Sequence, residues 1–123
     1  MPEPTLTDFL LARINEDEAA ARKADKFRWD RPSDAPWRRA EQLAETGSKP
    51  QAHIARWNPA RVLAECEAKR RIIGMYERAH DAETTDRHLW AAYREERTAF
   101  QRALEALALP YADHPDYDES WRP

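Results

Sequence analysis

Only two glycines, Gly47 and Gly74, occur in this chain of 123 residues, and that scarcity narrows the fold more than any other feature. Tight hairpins between antiparallel strands need positive φ, which Asn-Gly, Asp-Gly and Gly-Gly pairs usually supply. A chain so poor in glycine has few places to turn a strand back. Ala, Glu, Arg and Leu are abundant instead, and they are good helix formers. The expectation is an all-α protein, and at this length a single domain over 1–123 built on one core.

The helix signals can be placed along the chain. Thr5 or Thr7, followed by Asp8, suits a helix N-terminus, and predicts a helix over about 6–26. On a 100° wheel Leu6, Phe9, Leu10, Ile14, Ala21 and Ala24 share one face of it. In 27–36, Pro32 and Pro36 remove backbone donors and disfavour helix just before them. That stretch reads as a linker pinned by Trp29 and Trp37. A short helix over about 37–46 follows, closed by Gly47, with one further turn after Pro50.

Asn58-Pro59 is the clearest start. The Asn side chain can accept from an early backbone N–H, and proline at the first helical position loses nothing. A helix over about 59–80 is predicted, then a turn in "DAETTD" with Thr84 or Thr85 as cap, then a helix over about 86–108 ended by Pro110. Two long helices joined by roughly five residues fold back as an antiparallel hairpin. With the first helix they make a small bundle of three main helices, and the tail 109–123 is non-helical.

Two charges interrupt the apolar stripes of the long helices. Lys69 falls among Val62, Leu63, Cys66, Ile72, Ile73 and Tyr76, and Glu96 falls among Leu89, Trp90, Tyr93, Phe100, Leu104 and Leu107. Counted from the turn they stand at nearly one level, which predicts an ion pair between the helices. Removing ions from water costs several kcal/mol each, so such a pair would serve register more than stability. The rival reading lets Lys69 and Glu96 carry their charged ends out to water. Arg13 and Asp17, inside the stripe of 6–26, extend the pair to a possible network.

The tail "ALPYADHPDYDESWRP" is too rich in proline to be helical and too aromatic to be a frayed end. Tyr111, His114, Tyr117 and Trp121 either clasp the bundle, burying several hundred Å² at about 25 cal/mol per Å², or face outward to hold a partner. Its acids Asp113, Asp116, Asp118 and Glu119 are expected to face bases such as Arg61, Arg70 and Arg71, for little gain if exposed.

Little chemistry is written in the motifs. A single cysteine, Cys66, supplies neither an internal disulfide nor a zinc site by itself. The histidines His53, His80, His88 and His114 show no H-x-x-x-H or H-E-x-x-H spacing. His114 between Asp113 and Asp116 reads as a turn more readily than as a cation site. No Gly-rich phosphate loop or nucleophile motif occurs. No residue is assigned a catalytic, cofactor-binding or metal-binding role, and no cofactor is expected.

The formal net charge is only −3, so no overall field draws the chain to nucleic acid or anionic lipid. Two local stretches raise the nucleic-acid question, one with Arg28, Trp29, Arg31, Trp37, Arg38 and Arg39, the other with Arg70 and Arg71. Arginines with aromatics can grip phosphates and stack bases. Interspersed acids favour an ordinary solvated face. No segment approaches the roughly 20 apolar residues of a membrane span, and "MPEPTLTDFL" lacks a signal-peptide pattern. No membrane contact and a cytoplasmic location are expected.

The blocks "HIARWNPARVLAECEAKRRII" (His53–Ile73) and "LALPYADHPDYDESWRP" (Leu107–Pro123), with "FLLARINEDEAAAR" (Phe9–Arg22), resemble a family of small uncharacterised actinobacterial proteins. That family occurs in Streptomyces-like genomes and their phages and mobile elements. The resemblance covers a little under half of the chain and implies a host rather than a mechanism. Many members of that family carry Cys-x-x-Cys and a later Cys between the two blocks, similar to a zinc knuckle. Here the interval has no cysteine, and the Gly-rich stretch that follows the Pro-Trp-Arg element, here Pro36-Trp37-Arg38, is replaced by "RAEQLAETGSK". The resulting expectation is a non-enzymatic accessory protein that binds another protein, with a homodimer as one form. A nucleic-acid-associated factor is the alternative, and an enzyme with a polar pocket in the bundle comes third.

Overall fold

The computed structural model describes residues 3–27 and 31–123. Among them are five α-helices and no strand: α1 (Leu6–Lys26), α2 (Pro36–Glu45), α3 (Lys49–Arg56), α4 (Pro59–Thr85) and α5 (Trp90–Ala108). Single 3₁₀ turns form at Pro32–Asp34, Leu109–Tyr111 and Glu119–Trp121. The fold is all-α, as the glycine content implies.

Local chemistry explains most helix ends. Thr5 Oγ1 accepts from the Asp8 amide at 3.1 Å, and Asp8 in the first turn with Lys23 and Lys26 in the last suits the helix dipole of α1. Asn58 Oδ1 accepts from the Arg61 amide at 3.0 Å, while its Nδ2 donates to the Ala55 carbonyl at 3.2 Å. One side chain thus closes α3 and opens α4. Gly47 has a φ of +95°. Its amide donates to the Ala44 carbonyl at 3.0 Å and that of Ser48 to the Leu43 carbonyl at 3.3 Å, the paired bonds of a Schellman motif.

The turn between the long helices lies later than expected. α4 continues to Thr85 rather than stopping near 80, and α5 starts at Trp90 rather than near 86. The hydroxyls of Thr84 and Thr85 are not N-caps; both turn back to the Asp81 carbonyl, at 2.8 and 2.9 Å, a bond compatible with continued helix. Asp86 makes the turn, its Oδ1 accepting from the amides of His88 and Leu89 at 3.0 Å each. Asp86→Ala leaves those two donors to water. It should cost about 1 kcal/mol in urea unfolding; no loss would remove this account of the turn.

The described residues divide into two compact units. One holds the described residues up to Asn15 together with Glu67–Pro123, and the other lies within Glu16–Cys66. α1 and α4 each contribute a stretch to both.

In the first unit Phe9, Leu10, Ile14, Ile73, Ala79, Leu104 and Ala108 are buried. Thr5 and Thr7 lie beside Tyr76–Asp81, while Arg70 Nη2 donates to Asn15 Oδ1 at 2.7 Å, so α1 runs antiparallel to α4. Arg97 on α5 bonds Glu83 on α4, which sets α5 antiparallel to α4 as well. In the second unit α2 packs on α3 and on the Pro32–Asp34 turn. Its buried residues are small, Ala21, Ala35 and Ala40, with Pro59 and Cys66.

Candidate functional site

The tail folds onto α1. After Pro110 no helix can continue through the next prolines, and the rings of Tyr111, His114, Tyr117 and Trp121 gather round Phe9. Their centroids lie 6.3, 5.6, 5.9 and 5.2 Å from its own. Three of the four meet Phe9 edge-on, the arrangement that ring quadrupoles favour. Arg13, one turn along α1 and only 8% exposed, lays its guanidinium over Phe9 at 5.3 Å and directs Nη1 to His114 Nε2. The Asp116 amide lies 3.0 Å from Nδ1 of the same ring; a neutral imidazole accepts at one nitrogen only, so the two donors compete for His114.

The tail acids are occupied locally. Asp118 Oδ1 accepts from the Ser120 amide at 2.9 Å, and that bond holds the carboxyl below its ordinary range. Glu119 takes both arms of Arg122, at 3.0 and 3.3 Å, and is likewise lowered by that hydrogen bond. The bases expected opposite them are engaged elsewhere: Arg71 with Glu67 at 3.0 Å, Arg61 with Glu65 at 3.5 Å, and Arg70 with Asn15.

Lys69 and Glu96 are not brought together. Glu96 shares a hollow with Met75, Arg78, Ala79 and Ala82 of α4, and Arg78 is roughly two to three helical turns from Lys69. The Lys69 ammonium lies 5.8 Å from the Tyr111 ring centroid, and Glu96 lines a hollow of about 450 Å³ with Arg78, Ala82 and Phe100. The pairing expected from sequence rested on a turn set near residue 83. Moving it to Asp86–Leu89 slides one helix along the other. The interhelical pair with low exposure is instead Glu83–Arg97, 18% and 21% exposed, where the carboxylate's hydrogen bond raises the Arg97 pKa still further. Asp17 lines a groove of the second unit.

That groove, of about 370 Å³, has Ala20, Ala21 and Ala24 of α1 as one wall, with Trp37, Ile54, Trp57 and Val62 around it. Ile54 and Trp57 are 44% and 46% exposed, and Leu43 on α2 is 41% exposed. No residue of α3 is buried. The sequence signal was present as "HIARW", an apolar pair three residues apart, but nothing local says which side other elements leave open. A second groove, of about 680 Å³, is also lined by Trp57. Glu41 and Glu45 of α2 face it, as do His53 and Arg56 of α3 and Arg61 of α4. The Arg61 guanidinium lies 4.3 Å from the Trp57 ring centroid.

Of the residues considered for nucleic acid, Arg28 and Trp29 lie outside the described residues. Arg31, Arg38 and Arg39 are exposed in the second unit, and Trp37 is half-buried at the apolar groove. Arg70 and Arg71 belong to the first unit and bond Asn15 and Glu67. Among the described residues no three His, Cys, Asp or Glu side chains gather as metal ligands, and no helix is long and apolar enough to cross a membrane.

Helices with short connections, a tail locked by aromatic rings and open grooves in the second unit define an all-α protein with surfaces to offer. The chain belongs to a family of unknown function (DUF6221), whose model matches residues 3–123. The match runs well beyond the three blocks that carry the sequence resemblance. No curated protein and no solved structure matches the chain.

Proposed function

We propose that this chain is a non-enzymatic accessory protein that holds an apolar segment of another protein in the groove between α1 and the Trp37–Ile54–Trp57 rim. It would act in the bacterial or mobile-element setting that the sequence resemblance implies. One observation carries the reading: α3 buries none of its residues, while Ile54 and Trp57 stand exposed at the rim of a groove walled by alanines. A short helix gains little from propensity alone and depends on packing of its apolar face. Contiguous exposed apolar surface around a concave floor is the usual mark of a docking site, and alanines allow a partner backbone to approach closely.

Placing a photo-crosslinking residue at Ile54, with Arg102 on α5 as an exposed control, tests this in expressing cells. The expected result is a discrete protein adduct from position 54 and not from 102. Adducts to nucleic acid alone, or equal yield at both positions, would overturn it. The rival nucleic-acid reading draws on Arg31, Arg38 and Arg39, all exposed, and requires a salt-sensitive shift of labelled strands.

A further inference from the structure

The hollow of about 450 Å³ in the first unit is bounded by two helices. α4 supplies Met75, Arg78, Ala79 and Ala82, and α5 supplies Tyr93, Glu96 and Phe100. The steps of three and four residues within each set keep it on one side of its helix, and the Glu83–Arg97 pair ties the two helices together. The lining is apolar or aromatic except for Arg78 and Glu96, which carry opposite charge on different helices. Both are exposed, and neither side chain has an ion pair or hydrogen bond among the described residues. A base and an acid that share a hollow without meeting leave room for a third group between them.

The position of the guanidinium has its own cause. Arg78 Nη1 lies 3.3 Å from where a Cβ at Gly74 would stand, so the side chain runs back one turn along α4, to the level of Met75. Glycine is a poor residue inside a helix. Here its bare backbone admits the guanidinium, which a methyl group would crowd.

We propose that this hollow binds a free α-amino acid with an apolar side chain. Arg78 donates to the ligand carboxylate through its guanidinium fork, the ligand ammonium donates to the Glu96 carboxylate, and the side chain packs against Met75, Tyr93 and Phe100. A neutral apolar ligand would leave both charges unused, and a simple anion or cation would be repelled by one of them. A zwitterion satisfies both. The volume falls within the range of roughly 300–1,000 Å³ usual for small-ligand sites, and a place between helices is a common one for them. The site belongs to the first unit, does not rest on the groove at Ile54, and is tested apart from it.

Amide NMR titration of the whole chain tests the proposal, with L-leucine, leucinamide (no carboxylate) and N-acetyl-leucine (no ammonium) as probes. Leucine should shift resonances of α4 and α5 around the hollow with a Kd of about 1 mM, the strength open to a ligand of so few atoms. Each blocked analogue should bind about tenfold more weakly, the loss of one charge-assisted hydrogen bond. Arg78→Met should abolish the preference for leucine over leucinamide and keep the preference over N-acetyl-leucine; Glu96→Gln should do the reverse. Both positions are exposed, so both chains should keep the native melting temperature, and a preference that changes with the residue replaced is not the mark of a damaged fold. No shifts around the hollow up to about 20 mM leucine, equal binding of the three probes, or preferences that survive both substitutions would each overturn the site.

Discussion

Removing residues 111–123 should lower the melting temperature by well over roughly 10 °C, and Phe9→Ala alone should lower it by a comparable amount. Phe9 is 2% exposed and is the common neighbour of Tyr111, His114, Tyr117 and Trp121. Phe-to-Ala changes at such positions cost about 3–5 kcal/mol, and a domain of this size loses roughly 4 °C or more per kcal/mol. Truncation bares the same ring from the other side and removes its four ring contacts, aromatic pairs contributing about 0.5–1.5 kcal/mol each beyond their area. Tyr117→Phe is the contrasting case. The Tyr117 hydroxyl is buried without a hydrogen-bond partner among the described residues, so its removal should be neutral or stabilising. Calorimetry of the three variants decides the matter, and a truncated chain melting within 2 °C of the whole one would show that the tail contributes nothing.

Arg13→Ala should cost about 3 kcal/mol, and Arg13→Met distinctly less. The Arg13 stem is packed along the buried face of α1, with its guanidinium over Phe9 and Nη1 against His114. Truncation to alanine removes the stem contacts and the polar contact with the half-buried His114 ring. Methionine keeps most of the stem volume and forfeits only the polar part. Urea unfolding of both variants, followed by circular dichroism, separates packing from hydrogen bonding. A loss below about 1 kcal/mol for Arg13→Ala would mean that the tail does not depend on this side chain.

Sequence spacing anticipated Arg13 as a misplaced charge in an apolar stripe, and that was legible because a helical wheel needs only local periodicity. Its destination was not legible. The spacing offered only a possible network with Asp17, Lys69 and Glu96, and the contact with His114, one hundred and one residues away, could not be read from it. The Lys69–Glu96 expectation failed for a related reason. Both residues were correctly placed on helices, but the level at which helices meet depends on where the turn lies. Thr84 and Thr85 look like caps in sequence and act as back-bonded helix residues in space.

Some features were thus settled by neighbours in the chain. Two glycines and a helix-forming composition make the fold all-α; Thr5, Gly47 and Asn58-Pro59 fix helix ends through bonds to amides and carbonyls a few residues away; Pro110 ends α5. What only the tertiary structure decided are the relations between distant segments: the register of α4 on α5, the convergence of the tail on Phe9, the division into two compact units and the apolar side of α3 left uncovered. The first group rests on hydrogen bonds and steric limits within one or two turns. The second rests on which apolar surfaces find each other, and many alternatives with the same local pattern satisfy the sequence equally well.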